Sequence, residues 1–257
     1  MPDLTSFLIL FGVGILAGTI NIMAGGGSAL TLPALIFLGL DATMANGTNR
    51  VAIVLQNVVA ALSFRQEKVG GFRQSIIFGL WTIPGAVAGA VLAVQISDEW
   101  FRRILGIVMI GVVISMLIPR PRSARHAPDG VRSIQHILFM KSRWIYPALF
   151  GIGFYGGFMQ MGVGFLFMAA FYHLLRMNLV LVNMHKVVAV LVYTIPALFI
   201  FAVTGNVDWP LGLSLAAGNS LGGWWAVKLT VRRGEEIIRY VMVVAVLIMA
   251  GRILGAY

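Results

Sequence analysis

Apolar residues run along this chain in long blocks separated by short polar stretches. A helix needs roughly 20 apolar residues to cross a bilayer core, and eight blocks match that ruler: residues 4–23, 45–63, 74–95, 101–118, 144–163, 185–203, 210–227 and 237–254. Two further blocks, 28–40 and 165–175, are about half to two thirds of that length, and each is joined to the block before it by glycines. They predict short helices with glycine-containing starts. The one extended polar stretch, residues 119–142, carries Arg120, Arg122, Arg125, Arg132 and Lys141. It reads as a basic cytoplasmic linker between a first transmembrane half, 1–118, and a second, 143–257.

The two halves resemble each other. Gly12 and Gly14 match Gly151 and Gly153, Gly18 matches Gly157, and Gly25 matches Gly164 at one constant offset. Asn49-Arg50-Val51 matches His185-Lys186-Val187 at a slightly smaller offset, and Gly85 and Gly89 pair with Gly218 and Gly222. An internal duplication is the economical explanation. If the short blocks dip and return, each half has four crossings and the repeats are parallel. If they cross, each half has five and the repeats are inverted. The bias of Lys and Arg toward cytoplasmic loops separates the two. Both put Arg65, Lys68 and Arg73 inside and Arg102 and Arg103 outside. Five crossings also put Arg176, Lys228, Arg232, Arg233 and Arg239 inside, leaving Asp208 and Arg252 outside; four crossings reverse all of these. Charge therefore favours inverted repeats with Met1 and Tyr257 both exterior.

Composition agrees with a membrane protein. Of 257 residues, 59% are hydrophobic and 11% charged, with a mean hydropathy of +0.91, too little polar surface to coat a water-soluble globule of this size. The formal charge of +10 comes from residues between apolar blocks, where anionic lipid headgroups and the positive-inside bias account for it. No nucleic-acid partner is expected. With no cysteine and four scattered histidines, disulfides, thiolate metal sites and cysteine nucleophiles are excluded, and no cofactor or metal is expected. The first block has no basic segment before it and leads through glycines into more apolar sequence, so a cleaved signal peptide is not expected.

Short, glycine-interrupted segments at corresponding places of two repeats point to a transporter site. Here they are Ala24-Gly25-Gly26-Gly27-Ser28 and Met161-Gly162-Val163-Gly164-Phe165. Glycines let the chain unwind and let backbone N–H groups approach a ligand, and the helix beginning at Ser28 aims its positive end at an anion. Glycine also serves close helix packing in membranes, which is the reading for Gly85, Gly89, Gly218 and Gly222. Beside the breaks lie Asn46, Gly47, Thr48, Asn49 and Arg50, paired with Asn183, Met184, His185 and Lys186. Charge inside a membrane span is expensive and usually functional, although Arg50 and Lys186 could also snorkel to the interface. Asn21, Gln56, Asn57 and Gln160 are further amides in apolar runs, available either to a ligand or to interhelical hydrogen bonds.

All nine acidic residues fall at or outside the ends of the blocks, so no buried carboxylate is available to bind sodium or carry protons. His185 is the one group of suitable titration range in the candidate site. No His-Glu-x-x-His, phosphate-cradling loop or Gly-x-Ser-x-Gly elbow occurs. The pair Gly12 and Gly14 lacks the strand and acidic residue of a dinucleotide site.

The run from Gly14 to Gly18, then Gly25-Gly26-Gly27-Ser28 with Thr31 and Pro33, then Gly39 and Ala45-Asn46-Gly47-Thr48-Asn49, resembles the first-repeat signature of the TauE/SafE sulfite exporter family. The resemblance spans nearly the whole chain. In the second repeat, Gly162, Val163, Gly164, Phe165 and Met168 stand where the family often has a fuller glycine cluster and a later proline, so equal binding by the two repeats is not implied. The resemblance implies export of a small sulfur-containing anion, sulfite or an organosulfonate. The expectation is an all-α integral membrane protein of two inverted repeats, each of about five helical segments. It would be a multi-pass secondary transporter of the bacterial inner membrane working by alternating access, and not an enzyme. Its substrate-binding set is Gly25, Gly26, Gly27, Ser28, Asn46, Thr48, Asn49, Arg50, Gln160, Gly162, Gly164, His185 and Lys186. Its partners are the small anion and anionic lipids, with a homodimer left open. An integral membrane enzyme and a non-transporting assembly partner are the rival classes.

Overall fold

The computed structural model describes residues 3–104, 107, 144–175 and 177–253, without the side chains of residues 173 and 234–253. The described residues include the helices α1 Leu4–Met23, α2 Ser28–Phe37, α3 Ala42–Gln66, α4 Phe72–Gln95, α5 Ile145–Phe158, α6 Val163–Leu175, α7 Leu179–Val203 and α8 Trp209–Ile253. Residues 98–104 are also helical. The remainder of the block 101–118, the linker 119–142 and both chain ends, Met1 and Tyr257, lie outside the described residues. Three helices, α1, α4 and α7, are long and apolar enough to cross a membrane by length and composition, as a membrane protein requires. The 25-residue α3 is also long enough, but it carries Asn46, Thr48, Asn49 and Arg50 in its first turns.

Local chemistry sets the helix starts. Asp3 accepts from the Ser6 N–H at 2.9 Å at the head of α1, and Asn178 does the same for Leu181 at 2.9 Å at the head of α7. At α3 the cap comes from a distance. Asp98 accepts from the Thr43 N–H at 3.2 Å while pairing with Arg102 at 2.8 Å, which puts the start of α3 and the end of α4 at one end of the molecule. Thr48 joins the same end to the head of α8, its hydroxyl accepting from the Asp208 N–H at 2.9 Å. At the opposite end, Gly71 at the head of α4 meets Met184 and His185 near the head of α7. It follows that α3 and α7 run in opposite directions.

Packing couples the halves. α1 lies along α8 and α5 lies along α4, while α3 and α7 pack together and against α8 and α4 respectively. Glycines make the first two seams close. Gly218 and Gly222 abut the carbonyls of Phe11 and Ile15, and Gly85 and Gly89 abut those of Phe150 and Phe154, leaving no room for a side chain. This is the packing use of glycine expected for these four positions.

Three differences from the sequence expectations are informative. The block 144–163 yields a helix that ends at Phe158, because Asn46 of α3 takes both the Phe158 carbonyl and the Gln160 N–H and so draws the chain out of the helix before the glycines. The short helices start and end differently, with α2 stopping at Phe37 and α6 starting at Val163. The blocks 210–227 and 237–254 are joined in the single 45-residue α8. The polar residues between them, Lys228 to Glu236, contain no proline and are mostly good helix formers. At 1.5 Å per residue α8 is about 67 Å long.

Candidate functional site

The two chain breaks meet. Gly25 has a φ of +87° and Gly162 a φ of +71°, backbone that L-residues with a Cβ rarely adopt. A Cβ on Gly25 would stand 2.5 Å from the Gly164 carbonyl carbon, and one on Gly164 would collide with the Gly25 Cα. The main chains cross with nothing between them. Gly27 is similarly closed, against the Ala17 carbonyl. The glycines at 25 and 164 are thus required by contact with one another.

Each break ends a helix, and a helix end exposes carbonyls that lack partners and carry roughly half a negative charge. At the end of α5 those carbonyls are satisfied from α3. Arg50 Nη1 donates to Gly156 O at 3.0 Å and to Gln160 Oε1 at 3.2 Å, Nη2 donates to Gly157 O at 2.5 Å, and Asn46 Nδ2 donates to Phe158 O at 3.0 Å. At the end of α1 the work is done from α7. Lys186 Nζ donates to Asn21 O at 3.0 Å, to Ile22 O at 2.7 Å and to Asn183 Oδ1 at 2.9 Å. Each cation caps the broken helix of the other half of the chain.

Both cations are deeply buried, Arg50 0% and Lys186 3% exposed. The ion pairs among the described residues are Arg102 with Asp98 and Arg103 with Glu99, so neither buried cation has a carboxylate. Neutral carbonyls offset part of the desolvation of a charge; a counter-ion does so far better. The Phe201 ring covers one face of the guanidinium at 4.6 Å from its centroid.

The remaining candidates divide. Asn49 ties α2 to α3, accepting from Thr31 Oγ1 at 2.7 Å and donating to Ser28 Oγ at 3.1 Å. Gln160 lies beside Arg50, and its Oε1 also accepts from the Tyr193 hydroxyl at 3.2 Å. Thr48 is directed to Asp208 and His185 to Ser75, at 2.7 Å from Nδ1 to the hydroxyl, so both sit in helix contacts away from the guanidinium. The His185 ring is flanked edge-on by Phe78 and Phe171. A second polar chain crosses α1, α3 and α8. Gln56 Oε1 accepts from Asn21 Nδ2 and Asn219 Nδ2, both at 3.2 Å, and Gln56 Nε2 donates to Gly18 O at 3.4 Å. Tyr193, Thr31, Ser75 and Asn219 were not among the sequence candidates. Thr31 is a lone hydroxyl in an apolar run, and that isolation was the available signal; Ser75, Tyr193 and Asn219 each stand beside another polar residue and carried none. A cleft of about 500 Å³ lined by Val54, Ile195, Leu198, Phe199, Ala202, Val203 and Trp209 is apolar and offers an anion little.

Because Asn49 holds two buried hydroxyls, Asn49→Ala is expected to destabilise the chain by about 1–3 kcal/mol. The melting transition followed by intrinsic tryptophan fluorescence reads this, and an unchanged transition would show that α2 is held by packing alone.

Comparison with known proteins gives a consistent answer. The family model described as sulfite exporter TauE/SafE matches residues 10–253. A probable membrane transporter protein of Haemophilus influenzae is 28% identical over 244 residues, covering 95% of this chain and 92% of that protein. The probable membrane transporter protein YfcA of Escherichia coli K12 is 28% identical over 249 residues, 96% of this chain and 88% of its own. YunE of Bacillus subtilis, also named a probable membrane transporter protein, is 26% identical with 96% of each chain covered. No solved structure matches.

Proposed function

Since the chain belongs to the sulfite exporter TauE/SafE family, a family of transporters and not of enzymes, we propose that it exports a small sulfur-containing anion, sulfite or an organosulfonate, across the bacterial inner membrane. The observation that carries this reading is the pair of buried cations, Arg50 and Lys186, beside the crossed glycine breaks with no carboxylate partner among the described residues. An interior with uncompensated positive charge attracts an anion. The glycine breaks, Ser28, Asn46, Asn49 and Gln160 supply neutral donors and backbone next to that charge; Thr48 and His185 hold the surrounding helices.

The alternating-access reading takes the two halves as inverted repeats, the domains being 1–118 and 143–257 with the basic segment 119–142 between them. The opposite directions of α3 and α7, and the exchange of caps between the halves, support it. Anionic lipids would neutralise the exposed basic residues at the cytoplasmic face.

Counterflow in proteoliposomes with labelled sulfite, methanesulfonate and small carboxylates tests the substrate. Exchange of the sulfur oxyanions in preference to carboxylates is expected; exchange of carboxylates alone would overturn the reading. Orientation has its own test. A reporter fused at Met1 is expected to report the exterior and one inserted between Arg65 and Arg73 the cytoplasm, and the opposite pattern would overturn this orientation.

A further inference from the structure

Arg50 and Lys186 occupy matching positions but differ in what they have left to offer a ligand. An ammonium carries three N–H bonds and a guanidinium five. Those of Lys186 are all taken, by Asn21 O, Ile22 O and Asn183 Oδ1, with the Met168 sulfur at 3.9 Å beside them. Arg50 also makes three hydrogen bonds, two from Nη1 and one from Nη2. That leaves one N–H on Nη2 and the one on Nε, and Nε is buried without a protein partner. Nε and Nη2 share the edge of the guanidinium away from Nη1. With one face against Phe201, the edge is the part of Arg50 still able to bind.

We infer that the matched cations have different tasks. Arg50 is the anion ligand, its Nε edge meeting two oxygens of one oxyanion, whereas Lys186 is a positioning residue that holds the end of α1. The chain therefore takes one anion and not a symmetric pair. The inference rests on the small-oxyanion reading above and deepens it. A planar two-donor edge fits an oxygen pair, which a point-charge ammonium does not. An ammonium whose protons are all engaged would have to release helix carbonyls before it could bind anything, and those carbonyls would then be left buried without donors.

Calorimetric titration of the purified full-length chain with sulfite tests this. The expected stoichiometry is one sulfite per chain. Arg50→Lys is expected to weaken half-saturation by roughly tenfold or more and Arg50→Gln to abolish saturable binding, because charge alone does not replace the fork. Lys186→Gln is expected to keep the stoichiometry and to weaken half-saturation by less than Arg50→Lys does, through loss of a neighbouring charge and not of a ligand, while lowering the melting temperature and the exchange rate in proteoliposomes. Lys186→Arg should restore much of both, and it decides the matter should Lys186→Gln fail to fold. Two sulfites per chain, or a folded Lys186 variant that loses affinity as Arg50→Lys does, would overturn the inference. Failure of the substrate reading looks different: wild type would bind acetate and not sulfite, and the same variants would then be scored on acetate. A wild-type chain that binds neither, nor methanesulfonate, overturns both.

Discussion

Arg50→Gln is expected to lower anion exchange in proteoliposomes by about two orders of magnitude at equal protein density, with membrane insertion intact. A hydrogen bond to a charged group contributes about 1.5–3 kcal/mol, and each 1.4 kcal/mol is about tenfold. Losing the charge and its two-donor edge together accounts for a loss of about that size. Asn46 still caps the Phe158 carbonyl when the Gly156 and Gly157 carbonyls lose Arg50, so the end of α5 is weakened but not abandoned. Arg50→Lys should fall between, since the charge survives and the fork does not. If Arg50→Gln combined with Lys186→Gln moved the anion at the wild-type rate, both cations would be mere anchors and the site would lie elsewhere.

The second large effect concerns the crossing of the breaks. Gly25→Val is expected to cost about 2–5 kcal/mol, enough to leave little folded protein, and Gly164→Val about 1–3 kcal/mol. At Gly25 two terms add: the left-handed backbone, about 1–2 kcal/mol for a residue with a Cβ, and overpacking, about 1–3 kcal/mol. At Gly164 the cost is contact alone, but the contact is with backbone, which cannot swing aside as a side chain could. Gly12→Ala is the matched control, because nothing lies within 4 Å of the added methyl; its effect should be within about 0.5 kcal/mol. Tryptophan fluorescence melts and yield after size exclusion compare the three. Gly25→Val melting with wild type would mean that the breaks do not need their contact.

The breaks themselves were legible because runs such as Gly25-Gly26-Gly27 have no helical use, and the short helices that follow them were legible from length. The sequence left Arg50 either buried in its apolar block or snorkelling to the interface, and the structure buries it. What Arg50 touches was not legible. Its acceptors lie more than a hundred positions later, and no local pattern announces that the end of one helix will be capped by the opposite half. The same blindness misplaced the end of α5, which the distant Asn46 sets. Thr48 and His185 looked equivalent to Asn49 and Arg50 by proximity in sequence, but a helix turns about 100° per residue, so neighbours in the chain face different helices. Charge at Arg232 and Arg233 suggested a loop, although Arg and Glu are good helix formers and nothing there forces a turn.

The exchanged caps also set an order of assembly during synthesis. When α1 to α4 have left the ribosome, Arg50 is already inside the apolar phase, but the carbonyls of Gly156 and Gly157 have not been made. Until they arrive, the guanidinium must keep water or lipid phosphate as company, since a bare charge in hydrocarbon costs several kcal/mol. The end of α1 waits longer still, for Lys186. Neither half can finish alone, so a nascent chain stalled before residue 156 should remain open to proteolysis and become resistant only after Lys186 emerges.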